Sequence, residues 1–422
     1  MAASTSSAPR TLLVVSGGRE AVPAIAVARR MGLRVVVSDG APDAPGFRHA
    51  DAGILASTYD PEATAQGARA FAMRHRLDGV LAVASDVPVT VAAVAESLGL
   101  PGPSMASARL ASDKLAMKDA LRAAGVAVPW YAPVPSPAVL LDLASRVAMP
   151  LIVKPVDSRG ARGVVRLLPR IDPVWAFHQA QAESPTRRVM VEEYVPGPQL
   201  STESAVIDGR AITVGRSDRN YALLDRFAPF VIENGGELPS VLPPATLAAI
   251  DALVGEAAAA LGVTHGTVKG DIVVGDGGPM VIELAVRLSG GYFCTHEIPL
   301  ATGVDFVEAA IRLALGERPA PADLEPRCAR GVAQRWLFPP PGTVTGIEGV
   351  EAARAAEGVE LLEVTTSPGT VVRPMTSHVC RAGVVITVGD TREEAVARAN
   401  AAIARVRVVT QTVHAPPSAA LH

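Results

Sequence analysis

The stretch Val268–Gly291 reads VKGDIVVGDGGPMVIELAVRLSGG. Two apolar arms flank GDGG at Gly275–Gly278, where Gly and Asp supply the backbone freedom of a tight reversal. The pattern predicts an antiparallel hairpin with Asp271 opposite Glu283 and Ile272 opposite Ile282. Alternation then gives Lys269, Asp271, Glu283, Ala285 and Arg287 one common face and the aliphatic residues the other. Two carboxylates facing each other at about 5 Å repel. A divalent cation, a shared proton or exposure to water would relieve that. Oxygen ligands with no His or Cys beside them suit Mg²⁺ or Mn²⁺, and Mg²⁺ completes its shell with phosphate and water. Asp271 and Glu283 are therefore the metal-ligand candidates, and a nucleotide is the expected third party. The competing reading is a solvated strand face with Lys269 and Arg287 as counter-ions.

Phosphate-binding chemistry appears upstream. PLIVKPVDSRGARGVV (Pro150–Val165) is an apolar strand ending in Lys154-Pro155, then a loop with Ser158, Arg159, Gly160 and Gly163, then another strand. A lysine beneath a glycine loop offers a point charge and approachable N–H groups to a polyphosphate. The Walker spacing is absent, and a plain glycine-rich turn is the alternative. Lys114 falls in the first turn of ASDKLAMKDALRAAGVAVPWY, where a cation opposes the helix dipole unless an anion meets it. Ser112 or Asp113 is the expected cap and Gly125 the stop. VMVEEYVPGPQL (Val189–Leu200) is an apolar strand that ends at Pro196-Gly197, leaving backbone groups free to pair with a flat heterocycle. One of Glu192 and Glu193 must face away from the other, and Tyr194 otherwise reads as a core aromatic.

Composition narrows the partners. Of 422 residues, 49 % are hydrophobic and 19 % charged, so large cores are expected. A formal net charge of −3 argues against nucleic acid, and no apolar run approaches a membrane-spanning length. MAASTSSAPR lacks the features of a signal peptide and reads as a frayed tail over residues 1–10. Cys294, Cys328 and Cys380 are too few and scattered for a disulfide framework, so each is expected to be a small buried side chain in a reducing cytoplasm. A homodimer is the expectation from base rates.

The expected fold is an α/β N-terminal parallel-sheet domain over 11–103, an α+β domain over 104–318, and a small α+β C-terminal domain over 319–415. TLLVVSGGREAVPAIAVARRMGLRVVVSDG and HRLDGVLAVASDVPVTVAAVAESLGL give alternating strands and helices. LPGPS at Leu100–Ser104 breaks the pattern. LIVKPV is expected to pair with GVVRLLP, and VMVEEYV with LSTESAVIDGRAITV. After RPAPADLEP a further domain contains a strand and a helix whose Thr391 and Glu394 have capping-box spacing.

In order along the chain, SDK…M…GV.VP, IVKP with its glycine loop, VEEYVPGPQ and KGD…VIE…R.SGG resemble the ATP-grasp superfamily, over about Thr11–Val408. The first segment is similar to the pre-ATP-grasp (Rossmann-like) domain and the last to the carboxylase-type C-terminal domain. The resemblance implies ATP held between two α+β lobes, with Lys114 and Lys154 on its phosphates and Asp157–Gly163 closing over them. It further implies Glu192 and Val195 on the adenine, Gln199 in place of the usual ribose-contacting Glu, and Asp271 and Glu283 on Mg²⁺ or Mn²⁺. The common E-x-N-x-R is here Glu283-Leu-Ala285-Val-Arg287, and Ala285 cannot ligate a metal.

The activity implied is phosphorylation of a carboxylate by ATP and capture of the acyl phosphate by an amine, in the group that joins amino acids. Lys154, the metal and Arg287 would neutralise the developing charge, and Arg287 with Ser289, Gly290 and Gly291 would bind the acyl phosphate or substrate carboxylate. A salt bridge from Arg287 to Glu283 is the structural alternative. Arg216, Arg219 and Arg226 could grip a carboxylate, His265, Tyr292 and His296 could line the acceptor pocket, and Glu203 could reach ribose or the pocket or face solvent. The rival functions are a bicarbonate-using carboxylase of the same fold and a non-catalytic ATP-binding regulator. A dinucleotide oxidoreductase is a poor third, because SGGRE lacks the third glycine of the fingerprint.

Overall fold

The computed structural model describes residues 9–411, which leaves most of the expected N-terminal tail, and the last four residues of the segment 319–415, outside the described residues. The chain forms two compact units. One comprises the chain up to Pro129 with Val195–Ser217 and Val241–Ala329; the other comprises Trp130–Tyr194, Asp218–Ser240 and the chain from Arg330. The first unit thus spans the Leu100–Ser104 break.

The first unit opens with four parallel strands ordered Ala52–Leu55, Arg34–Asp39, Thr11–Val15, Gly79–Ala82. Ala52–Leu55 is a short edge strand with little sequence signal. The unit also contains Gly278–Ala285, Gly266–Gly275, Gln199–Ile207 and Arg210–Arg219 as far as Ser217, in that order. The helices Pro244–Ala260 and Lys114–Ala123 back these strands. Leu253, Val254, Met117 and Leu121 bury themselves with Leu200, Val206, Val268, Ile272, Val281 and Leu284. Ser201, Glu203, Lys269, Asp271 and Glu283 therefore fall on the opposite face. Asp113 caps the second helix by accepting from Leu115 and Ala116 N–H, and Gly125 takes the left-handed conformation at φ 79°.

The hairpin forms as expected, with Gly275 opposite Gly278, Asp271 opposite Glu283 and Lys269 opposite Ala285. One detail differs. A bulge at Asp271/Ile272 brings Ile272 opposite Val281 rather than Ile282. Val281 and Ile282 are both aliphatic, so the apolar pattern does not say which is the extra residue.

The second unit contains the sheet Tyr131–Val134, Val189–Glu193, Leu151–Pro155, Val165–Leu167, all antiparallel neighbours, with the Leu140 and Phe177 helices on its core. LIVKPV pairs with GVVRLLP as expected. VMVEEYV does not pair with LSTESAVIDGRAITV: it lies between Tyr131–Val134 and Leu151–Pro155, whereas Gln199–Ile207 and Arg210–Arg219 neighbour each other. Asp208 and Gly209, at φ 50° and 79°, form the two-residue turn between those strands, and Asp-Gly was the signal for it. Farther on, Gly236–Leu238, Gly331–Trp336, Gly383–Gly389 and Val359–Val364 follow in sheet order, covered by Arg392–Arg405. Thr391 caps that helix at Glu394 N–H, but the Glu394 carboxylate accepts from Asp390 N–H, so the box closes one residue early.

Candidate active site

In the first unit, Ser201, Glu203, Lys269, Asp271, Glu283 and Ala285 share one sheet face. Ser201 stands opposite Asp271, and Glu203 opposite Lys269. The Lys269 ammonium bonds the Asp271 carboxylate, which also accepts from Ser201 Oγ at 3.3 Å. Lys114 Nζ lies 3.3 Å from Glu283 Oε1, with side-chain exposures of 10 % and 26 %. The anion that a first-turn lysine needs is thus Glu283 itself. Each acid holds a lysine, and both keep some access to water. Ala285 is buried. Among the described residues, no group of three or more His, Cys, Asp or Glu is placed to hold a metal ion. Two carboxylates are nevertheless the number that a phosphate-bound Mg²⁺ takes from a protein.

Arg287 does not bridge to Glu283. Its Nε donates to Asp86 Oδ1 at 3.2 Å and its Nη1 to the Leu288 carbonyl at 3.1 Å. Asp86, Glu203 and Glu283 together raise its pKa against burial, which acts first and lowers it. Past Arg287 two backbone donors are already committed: Ser289 N–H goes to Glu203 Oε1 at 3.1 Å and Gly291 N–H to Glu20 Oε2 at 2.5 Å. Tyr292, buried with φ 64°, sets its ring edge-on to His296 at 5.4 Å. His265 is not brought to this group. It lines a separate cavity of about 340 Å³ with Glu96, Ser104, Ser107 and Gly262. Glu203 does not face solvent; it is wholly buried. Val195 and Gln199 flank the PGP break, which is stitched to the hairpin: Val274 N–H donates to Pro198, and a Cβ on Gly197 would lie 2.1 Å from the Val274 carbonyl oxygen.

In the second unit, Lys154 Nζ donates to Glu192 Oε1 at 2.5 Å, both side chains 5 % exposed. Ile152 stands opposite Glu192, so Lys154 and Glu192 sit diagonally on one face. The Glu192 backbone was expected to be free for adenine. Its strand is paired on both sides, with Tyr131 and Ile152 at its register, and what it offers is its carboxylate. Glu193 faces away and accepts from Trp130 N–H. Tyr194 is half-buried rather than core: its N–H reaches the Pro150 carbonyl, and Arg166 lies 5.8 Å over its ring.

The glycine loop is anchored at Asp157, which accepts from Ser184 and Thr186. Gly160 and Gly163 take φ 62° and 67°; Ser158 and Arg159 are part-exposed, and His378 N–H donates to Gly160 O. Arg219 is held by Glu233 through Nε at 2.9 Å and Nη2 at 2.5 Å. Arg226 is exposed and stacks on Phe227. Arg216, in the first unit, is clasped by Asp251. The cysteines also divide: Cys294 is buried with its thiol pushed up by burial, Cys380 is part-exposed and Cys328 is exposed, so only one fits the expected buried role.

Comparison with known proteins gives the family. Family models match an ATP-grasp N-terminal domain over residues 25–102, an ATP-grasp domain over 111–291 and an L-amino acid ligase C-terminal domain 2 over 335–411. The chain belongs to the ATP-grasp superfamily. A crystal structure of L-amino acid ligase from Bacillus licheniformis shares the fold with a TM-score of 0.81 at 23% identity, covering 96% of this chain and 100% of that one. The uncharacterized protein y4rH of Sinorhizobium fredii is 28% identical over 324 residues, 75% of this chain and 65% of its own. Carnosine synthase 1 of Gallus gallus is 26% identical over 348 residues, 74% of this chain. The chain spans only 36% of the length of that synthase. Among the described residues no helix is long and apolar enough to cross a membrane.

Proposed function

We propose that the protein is an ADP-forming carboxylate–amine ligase that activates an amino acid or related small acid as its acyl phosphate and couples it to an amine. The observation that carries this reading is the pair Asp271 and Glu283, face to face on the hairpin with Lys114 against one and Lys269 against the other. A partly exposed carboxylate paired with an ammonium group can exchange that partner for a cation and polyphosphate at modest cost. Asp271 and Glu283 would hold Mg²⁺ or Mn²⁺, which supplies charge neutralisation to the phosphates of ATP. Lys114, released from Glu283, becomes a phosphate ligand. Lys154 and the Ser158–Gly163 loop form a second set of phosphate-binding groups.

Arg287, aligned by Asp86, neutralises the acyl phosphate and orients it for the amine. The committed amides of Ser289 and Gly291 support that arginine rather than bind substrate. The match to an L-amino acid ligase C-terminal domain supports amino acids as the substrate class.

The test is ADP release with Mg²⁺ and ATP across pairs of L-amino acids, small carboxylates and bicarbonate, with Glu283→Ala as control. ADP release that requires an acid and an amine together, and is lost in the variant, supports the ligase. Release with bicarbonate alone would assign a carboxylase instead.

A further inference from the structure

One carboxyl of the first unit is spent on the backbone. Glu203 is 0 % exposed; its Oε1 accepts the Ser289 N–H at 3.1 Å, and its Oε2 is buried with no hydrogen-bond partner. Its cross-strand neighbour Lys269 sends its ammonium to Asp271 instead. Burial pushes the Glu203 carboxyl up to about 7, against the Ser289 hydrogen bonds and the charges of Arg287 and Lys269. The Cys294 thiol, and Glu20 on Gly291, complete the ionisable surroundings. A half-satisfied buried acid is expensive, and an aliphatic side chain would pack this face at lower cost. What Glu203 supplies that an aliphatic residue cannot is an acceptor for Ser289, through its amide and its side chain.

That amide lies in a segment held on every other side. Asp86 takes Arg287, Leu288 bridges to Val83 and accepts from Ala84 N–H at 3.3 Å, and Glu20 takes Gly291 N–H. A Cβ on Gly290 would stand 3.0 Å from the Glu20 carboxylate and 3.2 Å from Ala84 Cβ. The segment is thus seated without slack between loops that follow two parallel strands and the sheet below.

We propose that Glu203 is a positioning residue for the acceptor half-reaction: by taking the Ser289 amide from beneath, it fixes Arg287–Gly291 and so the direction in which the Arg287 guanidinium meets the substrate carboxylate or acyl phosphate. This rests on the ligase reading for its substrate, though not for its geometry.

Two variants separate acceptor from bulk. Glu203→Gln keeps a carbonyl for the Ser289 amide; Glu203→Met keeps the volume and removes the acceptor, with Glu203→Leu as a second apolar replacement should the Met chain fail to fold. Hydrogen exchange of the peptide spanning Arg287–Cys294, without ligands, is expected to quicken about tenfold or more in the apolar variant and by under about threefold in Gln. In turnover the apolar variant is expected to lose about tenfold or more in kcat with KM for ATP within about twofold, and Gln to recover most of that loss. Wild-type exchange in the folded apolar variant would overturn the proposal. A wild-type protein that releases no ADP with any substrate pair would overturn the ligase reading, while the exchange contrast still decides whether Glu203 holds the segment.

Discussion

Glu283 and Glu203 point from the same face of one sheet, yet they are held in opposite ways. Glu283, one rung nearer the turn than Glu203, has a lysine 3.3 Å away and 26 % of its side chain in water. Glu203 lies deeper, fully buried, its nearest strand neighbour committed elsewhere, its carboxyl raised to about 7. The first arrangement is the one proposed to be exchanged for a cation and phosphate. The second fixes backbone. The contrast teaches that a carboxylate's task follows from what solvates it: ammonium groups and water suit it to a ligand, and a backbone segment in a dry interior suits it to holding a loop.

The largest expected effect lies on the exchangeable side. Glu283→Ala should lower ADP release by about a hundredfold or more, because the proposed metal ligand and the anchor of Lys114 go together. Its stability to urea should change by no more than about 1 kcal/mol, as befits a partly solvated pair. A large stability loss with modest kinetic loss would reverse the roles assigned to the two glutamates.

Lys154–Glu192 sharpens the contrast from the other unit, since both side chains are 5 % exposed. Lys154→Met should cost about 3–5 kcal/mol of unfolding free energy, because it removes the ammonium paired with a buried carboxylate. The double variant Lys154→Met, Glu192→Gln should recover part of that stability and none of the activity. Recovery of activity as well would mean that Lys154 serves only Glu192.

For Glu203 the sign follows from the raised pKa. The folded chain binds this proton more tightly than the unfolded chain, whose value is near 4.5, so the stabilisation is full below about 4.5 and is lost as pH rises to about 7. Denaturation at a series of pH values should show wild type losing stability across that window relative to Glu203→Gln, and a difference independent of pH would contradict the assignment. The smallest effect is expected at Arg226, exposed over Phe227: Arg226→Ala should leave kcat and KM within about twofold.

Much of this was legible in the sequence, and the limits have physical causes. The carboxylate pair followed from strand periodicity and a Gly-rich turn, both local. The bulge that shifts Ile272 onto Val281 did not, because either register buries an aliphatic residue. Alternation required Glu192 and Glu193 to part, but the burial of Lys154 with Glu192 depends on strands on both sides. Arg287 finds Asp86 rather than Glu283, a partner 201 residues away that no local pattern could indicate. For Glu203 the sequence leaves ribose, the pocket and solvent all open; its burial comes from Ser289 and the segment around it, folded over from beyond the hairpin.

The central claim is that a carboxylate oxygen receives the γ-phosphoryl group of ATP, and isotope transfer reads that directly. With an amino acid substrate labelled with ¹⁸O in its carboxyl group, Mg²⁺, ATP and an amine, one labelled oxygen should appear in each inorganic phosphate released. Product formed with unlabelled phosphate, or ADP released with no transfer of oxygen, would contradict an acyl phosphate and with it the function proposed for this fold.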